Sequence, residues 1–207
     1  MLVTAGPTRE ELDPVRFISN RSSGKMGYAV ASSALARGHE VRLVSGPVKL
    51  TAPSGVHTVG VITAGEMKRA VHDNIEWCDV LVMAAAVSDW RPGMVSGTKL
   101  KKDSAPLTLA LEPTEDILKS VAQLKGNRVY IGFAAETEDL IENGTAKLKE
   151  KNLDLIAVNN VLADDSGFEC DTNRVILISA ARTEELPLMP KREVADRIIE
   201  WAERSLS

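Results

Sequence analysis

Ser19-Asn20-Arg21-Ser22-Ser23-Gly24-Lys25-Met26-Gly27 opens a helical pattern that runs to Arg37, and its reading decides the fold. Small hydroxyls, an amide and two glycines stand where a loop turns into a helix. Unpaired backbone N–H groups at a helix start favour an anion, and glycine lets a phosphate come close to the backbone. The stretch fits neither common phosphate fingerprint. Met26 follows Lys25, which breaks the P-loop spacing, and no GxGxxG directly follows the first strand. At the far end, Ala36-Arg37-Gly38-His39 is a helix stop followed by an apolar run, the return of a first βαβ unit.

Working outward, strand-like runs lie at Met1–Ala5, Glu40–Ser45, Val56–Val61, Val80–Ala86, Arg128–Ala134, Leu153–Val158 and Arg174–Ile178. A further one is read at Leu107–Leu111. Helical patterns cover Gly24–Arg37, Ala64–Asn74, Glu115–Leu124, Glu138–Lys151 and Lys191–Ser205. Alternating strands and helices with near-continuous apolar strands predict an α/β, Rossmann-like doubly wound fold. Its sheet is mainly parallel, with helices on both faces, and the 207 residues form a single domain. A net charge of −4 gives no support to nucleic-acid binding. No apolar stretch nears the length needed to cross a bilayer. Two cysteines cannot build a disulfide framework, so Cys78 and Cys170 read as free thiols in a reducing, cytoplasmic setting.

Doubly wound sheets place ligands beyond the carboxyl ends of their strands, which selects the loops to read. Gly6-Pro7-Thr8 leaves the first strand in a tight turn, and an ordinary strand end explains it equally well. About a dozen residues then precede the helix; they bring Arg16 and Asn20 up to its start, where Ser22 or Ser23 could serve as a cap. Ala84-Ala85-Ala86-Val87-Ser88-Asp89-Trp90 ends a buried strand in three small residues. Asp89 there either caps a turn or holds a ribose hydroxyl or a metal-bound phosphate. Thr98-Lys99-Leu100-Lys101-Lys102 is either a solvated loop or a mobile hairpin that folds over a triphosphate. Gly132-Phe133-Ala134-Ala135-Glu136-Thr137 offers backbone to a base edge and Phe133 as an apolar wall. Lys147 and Lys151 share a helix face, either for an anion or for surface pairing with carboxylates such as Glu150. The three histidines lack metal-ligand spacing, and neither a GxSxG nor a Tyr-xxx-Lys pair occurs.

Together, Thr4–Gly27, Ala84–Trp90, Lys99–Lys102, Gly132–Thr137 and Lys151–Asn160 resemble phosphopantothenoylcysteine synthetase. The likeness is to its bacterial CTP-using form, found fused behind a flavin-dependent decarboxylase. The resemblance implies a ligase of coenzyme A biosynthesis that joins 4′-phosphopantothenate to L-cysteine. CTP activates the carboxylate to an acyl-cytidylate with loss of pyrophosphate, Mg²⁺ being present, and the cysteine amine then displaces CMP. It further implies a homodimer, no flavin or nicotinamide in this domain, and a linked or associated decarboxylase domain. Lys99 takes the position of the lysine needed for acyl-cytidylate formation, on a flap that crosses toward the partner subunit. Asn20 matches the asparagine that handles the intermediate, and Arg16 helps hold the phosphopantothenate or the loop itself. Gly6, Ser22, Gly24 and Gly27 match phosphate-contacting positions. Met83, Ala84, Ala85, Asp89, Phe133, Lys147, Lys151 and Asn159 match nucleotide-binding positions, as does the turn Glu115-Asp116-Ile117-Leu118. The Mg²⁺ ligands are not assigned. The loop between Lys102 and Asp116 is shorter than in some bacterial members.

Two other classes compete. A nicotinamide-dependent oxidoreductase lacks its early glycine fingerprint here. A non-catalytic nucleotide-binding scaffold leaves Asn20, Asp89 and the lysines beyond the strand ends without a purpose.

Overall fold

The computed structural model describes residues 1–102, 106–160 and 170–206. Its first half runs β1 (Leu2–Ala5), β2 (Arg9–Asp13), β3 (Arg16–Ser19), α1 (Lys25–Ala36), β4 (Arg42–Ser45), β5 (His57–Gly60), α2 (Ala64–Ile75) and β6 (Val80–Met83). Next come β7 (Trp90–Pro92), β8 (Leu111–Pro113), the short α3 (Ile117–Val121), β9 (Val129–Glu136), α4 (Leu140–Glu150) and β10 (Leu155–Asn160). The chain closes with β11 (Thr172–Asn173), β12 (Val175–Ser179), β13 (Thr183–Glu185), β14 (Met189–Pro190) and α5 (Lys191–Leu206).

Eight strands form one sheet in the order β13-β12-β10-β9-β6-β1-β4-β5. The six from β10 to β5 are parallel, and β12 and β13 add an antiparallel edge. Numbered by appearance, the parallel strands read 3-2-1-4-5-6, the order of dinucleotide-binding folds. The direction of winding reverses between β1 and β6, which makes their carboxyl ends the switch point.

Side-chain alternation explains the two cores. Val3, Ala5, Val80 and Val82 point to the face covered by α1 and α5, through Val30, Ala34, Val194 and Ile198. Leu2, Leu81 and Met83 point to the other face, under Met67 and Val71 of α2, Val121 of α3 and Leu148 of α4. Strands buried on both faces must read as unbroken apolar runs, as Val80–Met83 does.

The segment ahead of α1 is a hairpin, since β2 and β3 pair antiparallel. Its strands are short, and β2 buries the polar Glu10 and Asp13, so no apolar alternation marks them. The strand read at Val80–Ala86 stops at Met83, and Ala86 makes only an isolated bridge to Pro7. The strand read at Leu107–Leu111 is displaced: β8 begins at Leu111, where β7 supplies a partner, and residues 106–110 carry no regular structure. Beyond Pro92 the Gly93 N–H prolongs that ladder, donating to the Ala110 carbonyl at 2.9 Å.

Gly27 is buried and is a packing residue. A Cβ there would lie 2.5 Å from the Ala5 Cβ and 2.7 Å from the Thr4 carbonyl oxygen. Backbone on the β1 side cannot yield, so α1 would have to lift off the sheet. Gly27→Ala is expected to lower stability by about 1–2 kcal/mol despite alanine's better helix propensity. Denaturant midpoints measure it, and an unchanged midpoint would show that α1 has room to shift.

Candidate functional site

A cavity of about 590 Å³ opens at the switch point, between the carboxyl ends of β6 and β9 and the start of α1. Its geometry begins with the exit of β1. Gly6 takes the left-handed conformation (φ 75°) and turns the chain toward β6. The Ala86 N–H donates to the Gly6 carbonyl at 2.9 Å, and the Thr8 N–H returns a bond to the Ala86 carbonyl at 3.3 Å. Two fully buried threonines complete the seam. Thr4 Oγ1 accepts from the Ala85 N–H at 3.1 Å and donates to Met83 Sδ at 3.6 Å. Thr8 Oγ1 accepts from the Ser88 N–H at 2.9 Å. The backbone donors of Ala85, Ala86 and Ser88 are therefore engaged, and this wall offers its surface and carbonyls.

Of the residues singled out from the sequence, Asn20, Ser22, Gly24, Met83, Ala84, Ala85 and Asp89 line the cavity on the switch-point side. Glu115, Asp116, Ile117, Leu118, Phe133, Lys147, Lys151 and Asn159 line it on the side of α3, β9, α4 and β10. Four stand elsewhere. Gly6 and Gly27 are buried as turn and packing residues outside the cavity wall, and the Gly6 carbonyl is engaged by the Ala86 N–H. Arg16 is held by Asp13, its Nε at 3.0 Å, and donates from Nη2 to the Leu100 carbonyl at 2.8 Å. Lys99 is exposed on the loop between β7 and β8, outside the cavity wall.

α1 has Gly24 at its N-cap in the left-handed conformation and no side-chain cap. The Ser22 hydroxyl accepts the Gly24 N–H at 3.3 Å, so Ser22 shapes the approach to the helix without capping it. Asn20 ties this loop to the seam. Its Nδ2 donates to the Val87 carbonyl at 2.8 Å, with a longer approach of 3.5 Å to Ala86. Asn20→Asp would set an anionic oxygen against those carbonyls and disturb the loop as well as any chemistry.

Every lysine of the α4 wall rests on a carboxylate. Lys147 pairs with Glu136 of β9 at 2.5 Å, and Lys151 with Asp116 at 3.2 Å. Asp116 also caps α3 by accepting the Lys119 N–H. Glu150 is not the partner of either; it pairs with Lys119 at 2.7 Å, which lowers its pKa. Glu115 pairs with Lys68 of α2, and that hydrogen bond pulls its carboxyl pKa down. The Asp89 carboxylate has no hydrogen-bond or ion-pair partner among the described residues.

Thr114, Asn173 and Lys191 line the cavity and escaped the sequence reading, and Arg21 and Lys25 line it from the opening stretch without having been given a role of their own. Lys191, the first residue of α5, is 5% exposed and donates to the Cys170 carbonyl at 2.5 Å. Burial lowers its pKa, and neighbouring Lys25 adds to the shift. Lys25 pairs with Asp171 at 2.7 Å. A lysine opening a helix reads from sequence as a solvated end, and nothing local marks it as buried. Among the described residues no three His, Cys, Asp or Glu side chains group as a metal cage.

Comparison with known proteins fits this architecture. The model of the DNA/pantothenate metabolism flavoprotein C-terminal domain family matches residues 1–206, and the chain belongs to that family. It is 44% identical over 202 residues to the coenzyme A biosynthesis bifunctional protein CoaBC of Bacillus subtilis, covering 97% of this chain and 50% of that protein. Against CoaBC of Escherichia coli K12 the identity is 43% over 204 residues, with 97% and 50% covered. The chain thus spans about half the length of these curated relatives. The crystal structure of a CoaBC C-terminal domain superposes with a TM-score of 0.85 at 43% identity, covering 99% of this chain and 94% of that one.

The seam makes a separable prediction. Thr8→Val keeps shape but leaves the buried Ser88 N–H unsatisfied, at a cost of about 1–3 kcal/mol. Thermal denaturation should show that loss and Thr8→Ser should restore most of it. Equal stability of the Val and Ser variants would mean the hydroxyl is dispensable.

Proposed function

We propose that this domain is a phosphopantothenate–cysteine ligase that uses CTP. The observation that carries the reading is the convergence of Asn20, Asp89, Phe133, Lys147 and Lys151 on one switch-point cavity. It occurs in a chain matched along almost its whole length by the C-terminal half of bifunctional CoaBC proteins. The relatives' name supports coenzyme A biosynthesis, and their greater length supports a decarboxylase domain linked to this one.

In this reading the nucleoside lies along β9 and α4, with Phe133 as its apolar wall and Ala134–Ala135 at the base edge. The lysines of α4 exchange their carboxylate partners for ligand oxygens. The phosphates run toward Gly24 and the uncapped start of α1. The carboxylate of 4′-phosphopantothenate attacks the α-phosphorus, the bond to the β-phosphate oxygen breaks, and pyrophosphate leaves. The cysteine amine then attacks the acyl carbon, releases CMP and loses a proton, which leaves the amide. Mg²⁺ fits as a companion of the triphosphate, neutralising charge on pyrophosphate. Such an ion keeps most of its water and takes one or two carboxylates, and the unengaged Asp89 matches that role better than a full protein cage would.

Lys99 enters this scheme from the flap. Its limbs expose Met94, Val95, Leu107 and Leu111, with Met94 86% exposed. That much apolar surface on one projection supports a homodimer in which the flap lies against a second copy and carries Lys99 to its cavity.

Incubation with CTP and 4′-phosphopantothenate, cysteine withheld, should release pyrophosphate, and the same mixture with ATP should release far less. Lys99→Gln should abolish that release while CTP still binds. Cleavage of ATP but not CTP would overturn the nucleotide assignment. Undiminished pyrophosphate from Lys99→Gln would remove Lys99 from the first step.

A further inference from the structure

The hairpin ahead of α1 and the flap are joined through one buried carboxylate, Asp13, which the reaction scheme leaves unused. Asp13 is 1% exposed at the end of β2. Its two oxygens face different ways. Oδ1 accepts the Val15 and Arg16 backbone N–H groups, both at 2.9 Å, and so closes the hairpin turn. Oδ2 accepts Arg16 Nε at 3.0 Å and the Leu100 backbone N–H at 3.1 Å. Arg16 Nη2 in turn donates to the Leu100 carbonyl at 2.8 Å. Both backbone polar groups of one flap residue, Leu100, are thus held by a carboxylate–guanidinium pair, immediately after Lys99.

A second tie lies on the other side of Lys99. The β2–β3 register shifts between Glu11 and Asp13, and Leu12 has no partner in β3. Its carbonyl instead accepts the Ser96 N–H at 2.9 Å. Within the flap, Ser96 Oγ donates to the Thr98 carbonyl at 2.7 Å. Lys99 therefore stands on a short loop pinned at Ser96 by the bulge and at Leu100 by Asp13. The Arg16 pairing holds the Asp13 carboxyl well below the usual carboxylate range, so the anion that makes these bonds is present at neutral pH.

We propose that Asp13 is a positioning residue, a latch that holds the flap limb against the hairpin and so fixes where Lys99 stands. Arg16, aligned by resemblance with substrate binding, works in this arrangement as the second half of the latch. The functional consequence rests on the ligase reading; the latch itself does not.

Asp13→Asn separates the two halves of the carboxylate. The amide oxygen can keep the turn, while its NH2 would face Leu100 N–H and Arg16, donor against donor. Leu100→Pro removes the flap's donor and leaves Asp13 untouched, at a position outside the core. Backbone hydrogen exchange at Ser96, whose own bond goes to Leu12, reads the latch. Each variant should speed that exchange roughly tenfold, about the loss of one charge-assisted bond. The double variant should add little. In the pyrophosphate assay both should lower the maximal rate with the CTP KM nearly unchanged, a split that general destabilisation would not give. Unchanged Ser96 exchange in Asp13→Asn, or exchange accelerated uniformly along the chain, would overturn the latch. Faster Ser96 exchange with normal pyrophosphate release would uphold the latch and reject the role given to Lys99.

Discussion

The seam between the exits of β1 and β6 is the constraint on which the site depends. In a doubly wound sheet these two strands must part, because their crossovers run to opposite sides. Here the chain keeps them stitched beyond the last regular pair: Ala86 N–H to the Gly6 carbonyl, Ala85 N–H to Thr4, Ser88 N–H to Thr8. The crevice is therefore displaced outward from the sheet, to the space between the Ala84–Asp89 loop, the start of α1 and the end of β9. A glycine fingerprint of the dinucleotide kind would place backbone N–H groups at β1 itself. Those positions are occupied by the seam, which accounts for the absence of that fingerprint.

The hairpin inserted before α1 follows from the same constraint. Gly6 sends the chain across β6 instead of directly into a helix, and β2–β3 is the excursion that brings it back. On its return it delivers Asn20, whose amide binds Val87. On its outward edge the bulge at Leu12 and the Asp13–Arg16 pair reach the flap. One insertion thus touches both the cavity wall and the segment carrying Lys99.

Legibility in the sequence followed burial. The strands of the central sheet were readable from apolar runs such as Val80–Met83 and Val129–Ala134, and helices from their period and stops. The short hairpin pairs β2–β3 and β7–β8 were not, since their stability comes from packing against neighbouring segments rather than from an apolar face of their own. In the site, motif positions such as Asp89 and Phe133 were legible by resemblance and do line the cavity. Gly6 and Gly27 were matched to phosphate-contacting positions by resemblance, and steric fit sets where they stand; Arg16 was left open between substrate and loop, and its Asp13 pairing is a loop contact. Lys191 was invisible because the carbonyl its ammonium meets, that of Cys170, lies 21 residues back along the chain.

The electrostatics of the cavity carries an argument about turnover. Lys147 and Lys151 hold carboxylates from β9 and α3, yet Lys147 retains 41% and Lys151 28% of its side-chain exposure. Pairs that keep this much contact with water contribute modestly to stability, so under the proposed function either lysine can trade its carboxylate for a nucleotide oxygen at modest cost. Both side chains line the cavity while so paired, which under the proposed function lowers the ordering cost of binding. Under the same reading, when a nucleoside monophosphate with less negative charge remains, Glu136 and Asp116 would compete for the lysines on better terms. On the proposed function, a site built this way would favour the highly charged nucleotide and release the spent one.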